Sequence, residues 1–389
     1  MRSLSLLLAL LLGAVGWPAG VQAQQGDRAW DDCKQFQDRD RQLNGCSEIL
    51  GRGNRETAAN RAIALNNRGL AHRARGNLDA AIRDYDEAIR LDPRDAFAFI
   101  ERGIAHHARG DLNAAMRDYD EAIRRNPRFA GAFNNRGLAY RDRGNLEAAI
   151  RDYDEAIRLD PRLDEAFINR GSAHSARGNH DAALRDYNEA IRLNPHYAEA
   201  FSNRGNAHRA RSNFDAAMRD YGEAIRLNPR YAEAFYNRGN AHSARGNLDA
   251  AIHDYDEAIR LNPRNAVAFF NRGNAHRGRG NLEAAIRDYD ETIRLNPHYT
   301  EVFINRGIAQ SARGNLDAAI RDFDEAIRLN PRYALAFNNR GLVYEGRGNL
   351  GQAAADFREA IRLGHARAKA HLDRVEAALA AQRRPARPG

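Results

Sequence analysis

One pattern of apolar and polar positions recurs every 34 residues between Ala62 and Arg367. Within each unit, apolar residues fall three or four apart along two successive stretches, the spacing at which an α-helix buries one face. A Gly-Asn or Gly-Asp pair separates the stretches in most units, and Asn-Pro or Asp-Pro ends most of the second ones. Glycine ends a helix in a left-handed turn, asparagine or aspartate caps the next helix, and proline prevents continuation. The pattern therefore predicts two helices per unit, joined by a tight turn.

Nine such units follow one another without a gap. They begin at Ala62, Ala96, Ala130, Asp164, Ala198, Ala232, Ala266, Thr300 and Ala334. A fixed period in this range indicates supersecondary units that stack on their neighbours, which overrides the two or three globular domains that 389 residues would suggest. Ser212 replaces the turn glycine in the fifth unit, and we expect a differently shaped turn there because serine adopts positive φ less readily.

Small and aromatic residues occupy fixed places in every unit. A glycine lies midway along each first stretch, as at Gly69, Gly103 and Gly137. Glycine weakens a helix interior, so we predict that another backbone approaches it closely, opposite a small residue such as Ala81. Aromatic rings near Phe99 and Tyr85, with their equivalents, should form the core.

The glycine, alanine, aromatic and proline positions, as in residues 232–263, make the unit resemble the tetratricopeptide repeat family. The resemblance implies an all-α fold, a right-handed superhelical α-solenoid of helix-turn-helix repeats with terminal caps. It also implies a non-catalytic scaffold that binds protein or peptide partners in a concave groove.

Two departures from that family pattern occur together in all nine units. An arginine replaces the usual leucine before the glycine, and an aspartate replaces an aromatic residue in the second helix. We expect each arginine to pair with an aspartate within or between repeats, because a partly buried guanidinium needs a carboxylate. The arginines are Arg68, Arg102, Arg136, Arg170, Arg204, Arg238, Arg272, Arg306 and Arg340. The aspartates are Asp84, Asp118, Asp152, Asp186, Asp220, Asp254, Asp288, Asp322 and Asp356.

An asparagine precedes each of these arginines in eight units, and only Glu101 breaks the series. These ladder asparagines are Asn67, Asn135, Asn169, Asn203, Asn237, Asn271, Asn305 and Asn339. In superhelical members of the family, such as the repeat domain of the O-GlcNAc transferases, the matching asparagines hold the backbone of an extended peptide. An amide offers both a donor and an acceptor, as a peptide unit does. The alternative is that these asparagines only solvate a helix face.

Neighbouring first-helix positions vary between units, and selectivity should come from them. Tyr236 and Phe270 lie near Asn240 and Asn274, with Asn206 one repeat earlier, so the sixth and seventh units form the expected anchoring region. Relaxed constraint at solvent positions is the alternative explanation. Six histidines replace the family's tyrosine and should be packed in the interior: His72, His106, His174, His208, His242 and His276.

Other functions find less support in the sequence. The net charge of +8 comes from acids and bases interleaved within each repeat, which indicates solvated helix faces and not a nucleic-acid surface. No nucleophile motif, phosphate-binding glycine loop or metal-ligand spacing is present, so we predict no enzyme activity, no cofactor and no metal. A structural spacer without a fixed ligand and an envelope polysaccharide-binding protein remain as rivals to the scaffold.

The chain begins like an exported protein. Residues 1–23 have a basic start, an apolar run and a Val-Gln-Ala cleavage site, the layout of a secretory signal peptide; a retained anchor is the alternative. We therefore predict a soluble periplasmic or secreted protein with no membrane span in the mature chain. In that oxidising setting Cys33 and Cys46 should form a disulfide in an N-terminal cap, residues 24–61, and not a metal site or free thiols.

The last repeat departs from the pattern at its end. Gly364-His365 replaces the usual Asn-Pro, so its second helix lacks the common stop signal. An alanine-rich stretch follows, and we predict a capping helix over residues 366–382, since a terminal repeat needs a polar outer face. The tail, residues 383–389, is expected to be disordered.

Overall fold

A computed structural model describes residues 27–382. The predicted signal peptide and the predicted disordered tail lie outside the described residues. All regular structure within 27–382 is helical and comprises 21 α-helices and one short 3₁₀ turn, which confirms the all-α prediction. None of these helices combines the length and the apolar character needed to cross a bilayer.

Two short helices precede the repeats: α1 (Arg28–Lys34) and α2 (Arg39–Gly51), followed by the 3₁₀ turn Gly53–Arg55. The four repeats up to Pro195 contain α3 (Ala58–Ala74), α4 (Leu78–Leu91), α5 (Ala96–Ala108), α6 (Leu112–Arg125), α7 (Ala130–Asp142), α8 (Leu146–Leu159), α9 (Asp164–Ala176) and α10 (His180–Leu193). The helix α3 begins four residues before the predicted start of the first repeat.

The other five repeats contain α11 (Ala198–Ala210), α12 (Phe214–Leu227), α13 (Ala232–Ala244), α14 (Leu248–Leu261), α15 (Ala266–Gly278), α16 (Leu282–Leu295), α17 (Thr300–Ala312), α18 (Leu316–Leu329), α19 (Ala334–Gly346) and α20 (Leu350–Arg362). The helix α21 (Ala368–Gln382) follows the last repeat. The helix α20 ends at Arg362, and Gly364 then adopts a left-handed conformation with φ of +96°. Earlier repeats have an Asn-Pro or Asp-Pro pair at this place.

The chain divides into two compact units, one ending at Pro195 and one starting at His196. Within each unit, the first helix of a repeat packs on the second helix of the same repeat, and that second helix packs on the first helix of the next. This serial packing of helix pairs is the α-solenoid architecture, in which each repeat buries its apolar face against its neighbours.

The nearest neighbours of the mid-helix glycines are aromatic rings and not another backbone as predicted, although at Gly239 the carbonyl oxygen of Ala251 also lies 3.3 Å from a Cβ position. A Cβ atom built at Gly69, Gly137 or Gly205 would lie 2.6–2.7 Å from Cε1 of the second-helix tyrosine of the same repeat. Those tyrosines, such as Tyr85 and Tyr153, are fully buried. Glycine is needed because the ring edge occupies the space of a side chain.

The turn at Ser212 keeps the common shape, so the expectation of a different turn is also wrong. Ser212 has φ of +59°, and its N–H donates to the carbonyl of Arg209 at 2.9 Å. The next N–H, of Asn213, donates to the carbonyl of His208 at 2.9 Å, as in the turns that contain glycine. The serine accepts a strained backbone because two hydrogen bonds and the flanking helices fix the turn.

The N-terminal cap contains the predicted disulfide. Cys33 of α1 and Cys46 of α2 are bonded to each other, and both are fully buried with Trp30 and Ile49 in one apolar cluster. Arg52 forms ion pairs with Asp27 and links the end of α2 to the start of α1. The bridge thus joins the two helices of a small hairpin, and the shared apolar cluster, which includes Ala64 of α3, packs this hairpin on the first repeat.

Candidate functional site

The ladder asparagines lie on the first helices, and none of them is fully exposed. Asn67 and Asn237 are buried, with exposed fractions of 8% and 7%. The asparagines three residues further along, Asn206, Asn240 and Asn274, are half-buried. Since three residues are almost one helical turn, these second-series asparagines lie on the same helix face as the ladder.

Hydrogen bonds join the two series between consecutive repeats. Nδ2 of Asn271 donates to Oδ1 of Asn240 at 3.0 Å and to the hydroxyl of Tyr236 at 3.1 Å. Nδ2 of Asn305 donates in the same way to Oδ1 of Asn274 at 2.9 Å. The ladder amides of the seventh and eighth repeats therefore already use a donor within the protein.

The same amide oxygens also receive the hydroxyls of buried tyrosines. Tyr255 donates to Oδ1 of Asn240 and Tyr289 donates to Oδ1 of Asn274, each at 2.8 Å. Burial raises the pKa of Tyr289 to about 12, so its hydroxyl is protonated and able to donate at neutral pH. Oδ1 of Asn240 and Oδ1 of Asn274 thus each accept two hydrogen bonds, which fixes the orientation of these amides.

Fixed amides leave a defined set of groups for a ligand. Within residues 27–382, Nδ2 of Asn240 and of Asn274 makes no hydrogen bond, and neither does Oδ1 of Asn271 or of Asn305. Donors and acceptors therefore occur in pairs on this face, and such a pair is complementary to the C=O and N–H of a peptide unit.

The predicted aromatic anchors are half-buried and packed against core tyrosines. The ring of Tyr236 lies 6.1 Å from that of Tyr255, and the ring of Phe270 lies 6.0 Å from Tyr289 and 4.8 Å from Tyr299. Tilted pairs at these distances hold a ring in place. The rings of Tyr236 and Phe270 are therefore held in place by their neighbours, and only part of each ring is accessible to a ligand.

In the unit up to Pro195, the equivalent face has a different character. Leu70, Ile104 and Leu138 stand where the second-series asparagines stand later in the chain. Ile100 is buried with Phe99 in one apolar cluster. This part of the face therefore lacks the second-series amides, and Leu70 and Ile100 are buried in the core.

Glu101, which breaks the asparagine series, forms a buried ion pair. Its Oε2 lies 2.9 Å from Nη2 of Arg73 in the preceding repeat, and both side chains are nearly inaccessible to solvent. Burial raises the pKa of Glu101, which the positive charge of Arg73 opposes. Glu101 stands where the other repeats have a ladder asparagine, and its carboxylate is already bound to Arg73, so the second repeat offers no ladder amide.

The predicted pairing of arginine with aspartate is confirmed in all nine repeats. The Nε and Nη2 atoms of each arginine donate to the two carboxylate oxygens of the aspartate in the same repeat, as in Arg102 with Asp118 at 3.0 and 2.6 Å. Such two-point geometry is the strong form of this ion pair. In eight repeats the guanidinium also lies 5.4–5.7 Å from the centre of a phenylalanine ring three residues earlier.

Many of these arginines make a second bond that the sequence analysis did not predict. Nη1 of Arg102 donates at 2.6 Å to Asp86 of the preceding repeat, so one guanidinium joins two repeats. The arginines with such an inter-repeat bond to an aspartate are Arg102, Arg136, Arg170, Arg272, Arg306 and Arg340. We call this three-point arrangement the arginine clamp. Its signal in the sequence is the Asp-Tyr-Asp or Asp-Phe-Asp triplet of the second helix.

The six repeated histidines are partly buried beside the clamps. In four of them Nε2 lies 3.9 Å from the clamp aspartate, as in His72 with Asp84. Burial lowers the pKa of each of the six, and the nearby aspartate only partly opposes this. The imidazoles are therefore neutral at pH 7, as packed interior groups should be. No group of histidines, cysteines or acids within residues 27–382 could hold a metal ion.

Comparisons with known proteins match the repeats. Family models described as "Tetratricopeptide repeat" match residues 62–95, 236–300 and 304–365. A model described as "TPR repeat" matches residues 103–141, 137–176, 171–210 and 205–246. Among curated proteins no sequence matches the chain.

Several solved structures are similar to parts of the chain. A "Crystal structure of MamA" is 27% identical, with a TM-score of 0.41, and covers 42% of this chain and 96% of its own. A tetratricopeptide repeat protein from Parabacteroides merdae is 23% identical, with a TM-score of 0.48, and covers 64% and 98%. The structure titled "YrrB: a TPR protein with an unusual peptide-binding site" is 23% identical, with a TM-score of 0.42, and covers 47% and 95%.

Proposed function

Because the chain belongs to the tetratricopeptide repeat family, whose repeats serve as protein-interaction scaffolds, we propose that its first-helix face binds an extended segment of a partner protein. The observation that carries this proposal is the set of fixed amides in repeats six to eight. Asn240 and Asn274 keep a free donor, and Asn271 and Asn305 keep a free acceptor, although all four side chains are oriented by internal hydrogen bonds.

Fixed amides favour binding for a physical reason. A side chain that is already ordered loses little entropy when a ligand arrives, so more of each new hydrogen bond contributes to affinity. Bonds to a peptide backbone give affinity without reading the partner's sequence. Selectivity then comes from the half-buried edges of Tyr236 and Phe270, which lie beside these amides.

The test removes the donors and keeps the internal contacts. In the double variant Asn240→Asp, Asn274→Asp, a carboxylate oxygen still accepts from Tyr255 and Tyr289, but Nδ2 is gone. Affinity capture with residues 24–389 from an envelope fraction would identify a partner, and titration with that partner would give Kd. We expect the double variant to raise Kd at least about tenfold, from two lost hydrogen bonds of about 1 kcal/mol each.

A matched control adds a charge elsewhere. Asn113→Asp places an aspartate where other repeats already have an acid, such as Asp79, on an exposed second-helix position. We expect this variant to bind as the unchanged chain does. Equal affinity of the double variant and the unchanged chain would mean that the partner binds elsewhere and not on the first-helix amides, whereas failure to capture any protein would favour a spacer or a polysaccharide ligand.

We also infer that the protein acts outside the cytoplasm. The disulfide between Cys33 and Cys46 supports this, because such bonds persist in oxidising compartments. Mass spectrometry of the protein from its native cell would test the inference. A chain that starts at Gln24 and contains the oxidised cysteine pair is expected; a chain that retains residues 1–23 with two free thiols would contradict it.

A further inference from the structure

Arg238 differs from the other clamp arginines in one contact. Its Nε and Nη2 donate to Asp254 at 2.8 and 2.7 Å, and its guanidinium lies 5.7 Å from the centre of the Phe235 ring. The other eight arginines make the same two-point bond to an aspartate, and seven of them also lie over a phenylalanine ring. Within residues 27–382, however, Nη1 of Arg238 makes no hydrogen bond.

The missing partner has a cause in the sequence. The preceding repeat has Gly222 where the complete clamps have an aspartate, such as Asp256 for Arg272. A Cβ atom built at Gly222 would have only one neighbour within 4 Å, Nη1 of Arg238, at 3.9 Å. Open space therefore remains where the aspartate carboxylate lies in a complete clamp.

From this geometry we propose that the space between Gly222 and Arg238, the open clamp, binds a carboxylate from an aspartate or glutamate of a partner protein. The site is preorganised, because Asp254 and Phe235 hold the guanidinium while one N–H points to the space left by Gly222. Six complete clamps in the same chain show that a carboxylate at this place accepts the bond, at 2.5–2.7 Å. The open clamp is separate from the fixed amides of the first-helix face.

The charge of the surrounding repeat suits an acidic partner. Residues 198–231 contain six arginines and four acids, whereas residues 232–265 contain four arginines and five acids. Arg219, one turn before Gly222 on α12, is exposed. The repeat that contains Gly222 therefore carries an excess of positive charge, which increases the rate of encounter with acidic segments, while the repeat that contains Arg238 is nearly neutral.

The experiment fills the open clamp from within. Gly222→Asp supplies the carboxylate that other repeats have, and Gly222→Ala adds a Cβ at ordinary contact distance but no charge. Residues 24–389 of each variant would be titrated with a fluorescein-labelled peptide of six glutamates, with anisotropy as the readout, at about 50 mM salt. Asn113→Asp controls for the added negative charge, and Asp256→Gly opens a second clamp at Arg272.

We expect Gly222→Asp to raise Kd about tenfold, the loss of one charge-assisted hydrogen bond, and Asn113→Asp and Gly222→Ala to change it less than about twofold. Asp256→Gly should increase the amount of peptide bound. Urea denaturation should show Gly222→Asp to be more stable than Gly222→Ala, because the new carboxylate occupies Arg238. The proposal is overturned if Gly222→Asp binds the peptide no more weakly than Asn113→Asp, or if the aspartate brings no gain in stability over alanine.

Discussion

The same aromatic position in the second helix is used differently in the two units of the chain. In the unit up to Pro195, the hydroxyl of Tyr153 is buried and makes no hydrogen bond within the described residues, and that of Tyr187 donates to the hydroxyl of Ser172 at 3.2 Å. In the unit from His196 on, Tyr221, Tyr255 and Tyr289 each donate to a second-series asparagine at 2.8 Å. These repeats share the tyrosine, and the residue that follows the mid-helix glycine of the first helix decides whether its hydroxyl makes a hydrogen bond.

The last two repeats support this explanation. Phe323 and Phe357 replace the tyrosine there, and the first-helix residues that would meet a hydroxyl are Ile308 and Leu342. Core and binding face are therefore linked: an asparagine on the face suits a tyrosine in the core, and an aliphatic residue suits a phenylalanine. The third repeat, with Leu138, keeps Tyr153, whose buried hydroxyl has no hydrogen-bond partner within the described residues and therefore destabilises the repeat.

The largest expected effect on stability concerns the clamps. Asp254→Ala should lower the free energy of unfolding by about 3 kcal/mol, because Arg238 is left partly buried with no carboxylate. Asp152→Ala should cost about 2 kcal/mol, since Arg136 keeps its bond to Asp120. Urea denaturation of both variants, with hydrogen exchange to locate the change, would measure this. Equal costs would mean that the inter-repeat bond contributes nothing.

The two ends of the chain should respond differently to reduction. The 13-residue separation of Cys33 and Cys46 predicts that the disulfide contributes about 2–3 kcal/mol to the N-terminal cap. After reduction, amide exchange should become faster in α1 and α2, whereas α21, which has no such bond, should be unchanged. Faster exchange at both ends would instead indicate that the repeats unfold as a single cooperative block.

A pair of tyrosine variants tests the contrast directly. Tyr153→Phe removes a hydroxyl that has no partner and should raise the free energy of unfolding by up to about 1 kcal/mol. Tyr255→Phe removes the bond to Asn240 and should lower it by about 1 kcal/mol. Thermal and urea denaturation would give the signs. Two changes of the same sign would contradict the role assigned to the asparagines.

The smallest effect is a pH dependence shared by both units. Burial lowers the pKa of the six repeated histidines below the unfolded value, so the unfolded chain binds more protons in acid. The free energy of unfolding is therefore not reduced by these histidines above about pH 6.5, and it decreases as the pH falls below that value. His242→Gln, the residue type found at Gln310, should flatten the dependence between pH 5 and 7. An unchanged slope of the free energy of unfolding against pH would mean that other groups cause the pH dependence.

Much of this molecule could be predicted from its sequence, because the 34-residue period specifies the helices, the turns and the pairing of arginine with aspartate, although not whether the pair lies within one repeat. The disulfide was predicted from two cysteines and the expectation of a signal peptide. Distances between helices could not be predicted: Gly69 accommodates a ring and not a backbone, and Ser212 keeps a left-handed turn because its neighbours fix it. The bond from Arg102 to Asp86 and the amide bonds between repeats depend on how neighbouring helices stack, which a period alone does not specify.

The arginine clamp has a consequence for how such an array changes in length. A deletion of residues 130–163 would bring Arg170 next to Asp120, the same pair of residue types that now meets at Asp154. Recombination that removes or duplicates a whole repeat therefore restores an equivalent junction without any compensating substitution. Gly222 is an exception: it has no carboxylate, so the arginine of any repeat placed after it would lack the inter-repeat hydrogen bond from Nη1.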